Sequence, residues 1–210
     1  GQYNSRLVVK GKGGHSGSPH ASIDPIITAA NIIQTVQLIQ TREIDVLKPT
    51  LIVFGKISGG SAPNIIPDKV EMLGSMRTLY DSSDQLDEQP RRRFERIVAG
   101  ICEAHRASYE LEFMLSSSTL LNDRALIGMV KDVAGQIVKP EKIASYVCMA
   151  GEDFAEFSNE VPGVFTFIGT GNQEKGTAYP HHHPRFNLDE EMLSVGVEMH
   201  VKTALAYLAQ

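Results

Sequence analysis

The chain has 210 residues, a formal net charge of −5 and a pI of about 5.8. Its hydrophobic content of 42% and charged content of 21% are those of an ordinary globular protein. The acidic balance argues against a nucleic-acid partner. No apolar run approaches the roughly 20 residues that span a bilayer, so we expect no membrane partner either.

The two cysteines, Cys102 and Cys148, do not form a CxxC metal motif. They indicate buried free thiols, which fit a reducing cytoplasm. The N-terminal residues lack the anatomy of a secretory signal peptide. The chain also enters a strand pattern almost at once, which indicates a fragment of a longer protein.

The first half of the chain has strand and helix patterns in the order of a split βαβ unit. The predicted elements are a strand over 6–12, a helix over 24–42, strands over 49–58 and 69–79, a helix over 81–107 and a strand over 109–115. Within 81–107, Pro90 either lies near the true start of the helix or kinks it. Asp24 followed by Pro25 predicts the N-cap and the first residue of the first helix. This order predicts a ferredoxin-like βαββαβ domain over residues 5–116.

The second half, residues 117–210, has helical patterns separated by short apolar runs. They predict helices over 124–138, 152–159 and 189–209, and strands over 143–148 and 163–168. The alternation is typical of an α/β layer, but two strands alone make a poor sheet. The predicted fold class is therefore α/β, a βαββαβ domain followed by an incomplete α/β segment.

Three adjacent histidines, His181, His182 and His183, lie between two prolines in the sequence YPHHHPRFNLDEE at 179–191. Neutral imidazole is a common ligand for divalent transition metals. The prolines stiffen the backbone on both sides and keep helix out of the segment. A solvated histidine run is the alternative interpretation.

Five motifs occur in an order that resembles one family. They are GKGGHSGSPH with DPI at 11–26, GGSAPNIIPD at 59–68, GSMRT at 74–78, GEDF at 151–154, and HHHPRF with DEE at 181–191. Together they resemble the aminoacylase and hippurate hydrolase family of metal-dependent amidohydrolases, which includes indole-acetyl-amino-acid hydrolases and carboxypeptidases. The resemblance implies a lid (dimerisation) domain followed by the C-terminal part of an α/β catalytic domain.

The resemblance also implies roles for four residues. His182 matches the last metal ligand of the family, and His15 matches a lid histidine at the active site, in many members that of the partner subunit. Asn64 and Arg77 match substrate-binding residues, and a guanidinium suits a carboxylate beside the scissile amide. The complete enzyme would hold two divalent metal ions, zinc or manganese, and this chain supplies at most a partial site.

Each assignment has a structural alternative. His15 and Asn64 are also typical of turns in glycine-rich loops, and Arg77 is typical of a surface ion pair. His20 fits the family pattern but has a structural role as an equal alternative. Glu152 in GEDF is best interpreted as an N-terminal helix cap.

The resemblance implies hydrolysis of the amide bond of N-acyl amino acids, or of short peptides with a free carboxylate. It also implies a cytoplasmic homodimer formed through the lid. The alternative is a non-catalytic dimerisation or ligand-binding module derived from such an enzyme. A degenerate relative without metal is a third interpretation, disfavoured because all four candidate residues are present.

Overall fold

Four segments that alternate apolar and polar residues form the strands of one antiparallel sheet. They are β1 (Gln2–Lys10), β3 (Thr50–Gly59), β5 (Lys69–Thr78) and β6 (Ser108–Ser117), in the spatial order β3-β5-β1-β6. A separate two-stranded ribbon consists of β2 (Gly14–His15) and β4 (Ile65–Ile66). The computed structural model describes residues 1–80 and 89–209.

Two helices pack against this sheet. The first, α1 (Pro25–Thr35), begins as predicted, because the Asp24 carboxylate accepts hydrogen bonds from two amides of its first turn at 2.8 and 3.4 Å. A π-helical turn, Ile39–Glu43, follows it. The second helix, α2 (Pro90–Ala104), packs beside β6. The predicted start of this helix at 81–88 lies outside the described residues.

The hydrophobic core lies between the sheet and these helices. Its fully buried side chains include Leu7, Val9, Ile32, Met72, Phe94 and Val98. The Phe94 ring meets Phe113 edge-on, with ring centroids 5.6 Å apart. Cys102 is a free thiol in this core, and burial raises its pKa, whereas the free Cys148 is only half-buried. The predicted βαββαβ arrangement is confirmed.

The described residues separate into two compact units. The first contains residues 1–120 and 149–155, and the second contains residues 121–148 and the chain from Glu156 onward. The remaining helices are α3 (Arg124–Gly135), α4 (Phe154–Ser158) and α5 (Met192–Leu208). Helices α3 and α5 pack together in the second unit, through Val130, Val133 and Met199.

The two strands predicted in the second half do not form. Segments 143–148 and 163–168 have no strand pairing, although Tyr146 and Phe167 touch edge-on with ring centroids 5.0 Å apart. These two rings are 67% and 52% exposed. The prediction was wrong because a strand requires backbone hydrogen bonds to a neighbouring strand, and within the described residues neither segment has such pairing.

One face of α5 is apolar and exposed. This face carries an apolar residue at every fourth position: Leu193, Val197, Val201 and Leu205. The exposed fractions of these four residues are 57%, 65%, 53% and 63%, respectively. A contiguous apolar face of this kind is typical of a surface that further protein covers. None of the helices in the described part of the chain has the length and apolar character needed to cross a bilayer.

Glu43 joins the π-helical turn to α2 through two arginines. Its carboxylate accepts hydrogen bonds from Arg96 Nη2 at 2.6 Å and from Arg93 Nη1 at 3.3 Å. The hydrogen bond from Arg96 is the largest influence on this carboxyl group. Together with Arg93, it holds the pKa of Glu43 below its ordinary value.

We expect Glu43→Gln to lower the free energy of unfolding by less than about 1 kcal/mol near neutral pH, because partly exposed ion pairs contribute modestly. Since folding lowers the pKa, this stabilisation is complete above the unfolded pKa of roughly 4.3. It is lost as the pH falls through the folded pKa. Urea unfolding of both proteins across this pH range measures the effect, with Glu103→Gln on the exposed side of α2 as the control. A stability difference that does not change with pH would contradict the assignment.

Candidate functional site

The β2–β4 ribbon places two of the predicted site residues side by side. His15 pairs with Ile65, and the carbonyl of Asn64 accepts a hydrogen bond from the Ser16 amide at 3.1 Å. The His15 and Asn64 residues are both exposed. The structure therefore brings His15 and Asn64 together at one end of the first unit.

The His15 ring is oriented by its own loop. Its Nδ1 atom accepts a hydrogen bond from the Gly17 amide at 3.0 Å. In the neutral ring the proton then lies on Nε2, which makes Nε2–H the available donor. Such a donor can stabilise an oxyanion that develops on a bound substrate. The ring geometry suits the role that the resemblance implies for His15.

Asp68 and a glycine backbone hold the ribbon in place. The Asp68 carboxylate accepts a hydrogen bond from the Gly13 amide at 2.8 Å, and its carbonyl accepts one from the Gly11 amide at 2.8 Å. A Cβ atom at Gly11 would collide with the Ile23 carbonyl, a backbone group, so this position requires glycine. Sequence reasoning quoted Asp68 in its motif without a role, and the structure shows that it ties the two loops together.

Arg77 lies at the opposite end of the sheet from the ribbon. In β5 it follows Lys69 by eight residues, and the ribbon adjoins the Lys69 end of this strand. Eight residues of extended strand span about 26 Å. Within one chain, Arg77 and Asn64 are therefore too far apart to bind the same substrate carboxylate together. The substrate roles of the two residues stay predictions.

Among residues 1–80 and 89–209, the Arg77 guanidinium has a backbone partner and no ion pair of the kind that the structural alternative predicts. Its Nη1 atom donates to the Met149 carbonyl at 2.6 Å. A Cβ atom at Gly151 would lie 2.6 Å from Gln2 Oε1 and 2.7 Å from Ser117 Oγ, so glycine permits this close approach. The segment that carries GEDF thus lies against the Arg77 end of the sheet, within the first unit. Sequence patterns gave no sign of this contact.

The two remaining candidates have the structural features expected of their alternatives. Glu152 Oε1 accepts a hydrogen bond from the Phe154 amide at 3.4 Å, as an N-terminal cap of α4 does. His20 is exposed in a 3-10 turn, Pro19–Ala21.

The three adjacent histidines lie in the second unit and differ in their surroundings. The His183 ring stacks on Tyr179 with centroids 4.6 Å apart, and its Nδ1 atom accepts a hydrogen bond from the Arg185 amide at 3.1 Å. The His181 ring meets a phenylalanine edge-on at 5.1 Å. His182 is exposed, and within the described part of the chain its imidazole has no hydrogen-bond partner or ring contact.

The backbone also distinguishes His182 from its neighbours. Its φ of 66° is in the left-handed region, which a residue other than glycine seldom adopts. Such a conformation costs about 1–3 kcal/mol and persists only where the surrounding structure imposes it. Among the three histidines, His182 alone combines this backbone with a ring that has neither a hydrogen-bond partner nor an aromatic contact in the described part of the chain.

The described residues do not complete a metal centre. Among residues 1–80 and 89–209, no group of three or more His, Cys, Asp or Glu side chains is arranged to hold a metal ion. A protein zinc site normally has three or four protein ligands. The His182 imidazole has the donor chemistry of one such ligand, but a whole site does not fit into these residues.

Several known proteins are similar to this chain in sequence. Residues 1–110 match the family model of the peptidase dimerisation domain. The chain is 32% identical over 206 residues to thermostable carboxypeptidase 1 of Saccharolobus solfataricus, covering 96% of the chain and 50% of that protein. It is 35% identical over 185 residues to N-acetyl-L-cysteine deacetylase of Bacillus subtilis, covering 88% of the chain and 42% of that protein. The chain thus spans about half the length of these relatives or less.

A solved structure extends the similarity to both units. It is the crystal structure of a Bacillus subtilis protein described as a dinuclear metal binding peptidase from the M20 family. It matches 99% of this chain with a TM-score of 0.76 and 26% sequence identity, over 50% of its own length.

Proposed function

The chain belongs to the M20 peptidase family through its dimerisation domain, and from this premise we propose that it is part of an enzyme that hydrolyses N-acyl amino acids. We assign residues 5–116 to the lid and residues 117–210 to the C-terminal part of the catalytic domain. The observation that carries the proposal is the exposed His182 imidazole, presented between two histidines whose rings are held by neighbours. This environment supports His182 as a ligand of one divalent metal ion.

In such an enzyme, His182 would hold one of two zinc or manganese ions, which would supply polarisation of the scissile carbonyl and activation of water. The residues of this chain bind and orient the substrate. The His15 Nε2–H group is a donor for the oxyanion, and the Asn64 amide beside it is a second polar group facing solvent. Arg77 is assigned to the free carboxylate of an N-acyl amino acid or short peptide.

The distance between the ribbon and Arg77 bears on how two chains cooperate. About 26 Å of strand separates them, which is too far for one small substrate. We therefore assign each substrate the ribbon residues His15 and Asn64 of one chain and Arg77 of the other. The resemblance, which places the lid histidine at the partner subunit's site, supports this division.

Two observations support the involvement of further chain in the active enzyme. The exposed apolar face of α5 needs a covering surface, and segments 143–148 and 163–168 lack strand partners in the described residues. The free thiols of Cys102 and Cys148 fit a reducing compartment such as the cytoplasm.

The second candidate function is a non-catalytic dimerisation or ligand-binding module. It is favoured by the lack of a three-ligand group among the described residues.

We expect the 210-residue chain alone to hydrolyse neither hippurate nor N-acetyl amino acids, and to bind no tight stoichiometric zinc or manganese. One imidazole cannot hold two metal ions. The fused protein, which joins this chain to the N-terminal half of the Bacillus subtilis deacetylase, should gain both properties. Product release is measured with and without a chelator, and metal content by mass spectrometry.

Each outcome separates the two candidate functions. Metal-dependent hydrolysis by the chain alone would show that ligands within it were missed. A fused protein that binds two metal ions and hydrolyses none of these substrates would favour the non-catalytic module.

We assign the dimerisation surface to strand β3 and helix α1. β3 is an edge strand, and an edge strand can continue a sheet across a two-fold axis. It exposes Leu51 and Val53 at 37% and 43%, and α1 exposes Ile26 and Ile27 at 44% and 56%. The match of residues 1–110 to a peptidase dimerisation domain supports a homodimer, and the exposed apolar residues of β3 and α1 support this surface.

Light scattering at micromolar concentration should therefore give about twice the chain mass of 23.0 kDa. Val53→Lys should raise the dissociation constant at least about tenfold, because it brings two like charges to the paired edges. Met114→Lys is the matched control, since Met114 is 55% exposed on the other edge strand, β6. A monomeric wild-type chain at high concentration, or an equal effect of both substitutions, would contradict the assigned surface.

A further inference from the structure

The loop that carries the three histidines is closed at its base by Asp189. The Asp189 amide donates to the Thr170 carbonyl at 3.0 Å, so the two ends of the loop meet. The Asp189 carboxylate accepts hydrogen bonds from Lys175 Nζ at 2.8 Å and from Asn172 Nδ2 at 3.1 Å. Only 8% of Asp189 is exposed. A carboxylate this enclosed is stabilised by the partners it has in the protein.

The turn that faces Asp189 is fixed by its own hydrogen bonds. Asn172 Oδ1 accepts from the amides of Glu174 and Lys175 at 3.0 and 3.3 Å. The Thr177 hydroxyl accepts from the Asn172 amide at 2.9 Å and donates to the Thr170 carbonyl at 3.1 Å. Thr177 is 6% exposed. Asp189 therefore binds a turn whose conformation is already fixed by its own hydrogen bonds.

The rest of the loop is also held by short-range contacts. The His183 amide donates to the Pro180 carbonyl at 3.1 Å, and the Phe186 amide donates to the His183 carbonyl at 2.8 Å. The Arg185 guanidinium lies over the Tyr179 ring, 4.3 Å from its centroid. These contacts surround His182 on both sides in sequence.

We propose that Asp189 is a positioning residue, a clasp that holds the loop so that His182 is presented in one orientation before a metal ion binds. The proposal rests on the function proposed above, in which His182 is a metal ligand. A ligand that is already ordered loses less conformational freedom on binding, so the clasp raises metal affinity without touching the metal. In the sequence, Asp189 is one of three acidic residues just before a helix, where negative charge suits the helix dipole. Its carboxylate does accept the Glu191 amide at 3.3 Å, but it also joins that helix start to the loop.

Glu191 provides a matched control. It forms an ion pair with the same Lys175 Nζ atom, also at 2.8 Å, but 81% of its side chain is exposed. Within residues 89–209 its carboxylate makes no contact with Asn172, the other residue that Asp189 grips. Glu191→Gln thus removes an ion pair of the same length and leaves the clasp in place.

The first test measures hydrogen exchange of single amides in the 210-residue chain. In Asp189→Asn, the His183 and Phe186 amides should exchange at least about tenfold faster, because opening the base frees the turn around His182. In Glu191→Gln they should stay within about twofold of the wild-type rate. If these two amides are unaffected by Asp189→Asn, the loop keeps its shape without the clasp and the proposal is overturned.

The second test measures zinc affinity in the fused protein by competition with a chelator. Asp189→Asn should weaken zinc binding by about tenfold and Glu191→Gln should not, since partners of a ligand typically contribute 10–100-fold. If Asp189→Asn opens the loop while zinc affinity is unchanged, and His182→Asn does weaken it, the positioning role is wrong. If His182→Asn itself leaves zinc affinity unchanged, the ligand assignment fails and the proposal fails with it. The zinc affinity of His182→Asn separates these two cases, failure of the positioning role and failure of the ligand assignment.

Discussion

His182→Asn in the fused protein should remove tight binding at one of the two metal positions and abolish most hydrolysis. We expect the affinity of that position to fall by at least about 100-fold, because a site of three or four ligands loses one of them. Asparagine is the chosen replacement since it tolerates the left-handed backbone that His182 adopts, with φ of 66°. Alanine would mix loss of the ligand with backbone strain. Metal content per chain and calorimetric titration measure the result.

His181→Asn and His183→Asn are the controls for this substitution. Their rings already have neighbours, an aromatic edge for His181 and Tyr179 with the Arg185 amide for His183. Either variant should keep both metal ions at near wild-type affinity. An equal loss of metal in all three variants would mean that the histidine run acts as a whole and that His182 has no special place in it.

His15→Ala gives the contrasting result expected of a residue that acts on the substrate. Metal binding should be unchanged, and kcat should fall by about 10²–10³, as for the loss of one oxyanion donor. The Nε2–H group is the donor concerned, since Nδ1 is occupied by the Gly17 amide. Loss of metal in His15→Ala would contradict this division of roles.

The first unit could be predicted from the sequence because its signals are local. The alternation of apolar and polar residues predicted its four long strands. The position of Asp24 before Pro25 predicted that Asp24 caps α1, as it does in the structure. The strands predicted in the second half fail for the opposite reason. An apolar run shows that a segment is suited to a sheet, but strand pairing depends on neighbours that are remote in sequence.

The candidate site residues come from sequence motifs and stay predictions, whereas their spatial arrangement could not be predicted from the sequence. The motifs led to His15, Asn64, Arg77 and His182, yet no pattern showed that β5 carries Arg77 about 26 Å from the ribbon. The hydrogen bond from Arg77 to Met149 crosses 72 positions of sequence. Asp189 was missed for a different reason. Three acidic residues before a helix fit the dipole rule, and only burial distinguishes the one that clasps the loop.

Arg77 has two interpretations, and kinetics on two substrates separates them. If it binds the substrate carboxylate, Arg77→Ala in the fused protein should raise KM for N-acyl amino acids. A lost charged hydrogen bond is worth roughly 1.5–3 kcal/mol, or about 10- to 150-fold. The same substitution should have a much smaller effect on an amidated substrate, which lacks the carboxylate. If Arg77 serves only to hold the Met149 carbonyl, at 2.6 Å in the structure, both substrates should suffer equally.

Two further variants make this comparison decisive. Gly151→Ala disturbs the same segment without touching the guanidinium, because the added Cβ would lie 2.6 Å from Gln2 Oε1. It should affect the two substrates alike. Arg77→Lys keeps the charge and one donor for the carbonyl but loses the two-pronged geometry that matches a carboxylate. We expect it to preserve thermal stability while KM for the N-acyl amino acid stays raised. Equal losses on both substrates in Arg77→Ala, matching those of Gly151→Ala, would leave Arg77 a structural residue.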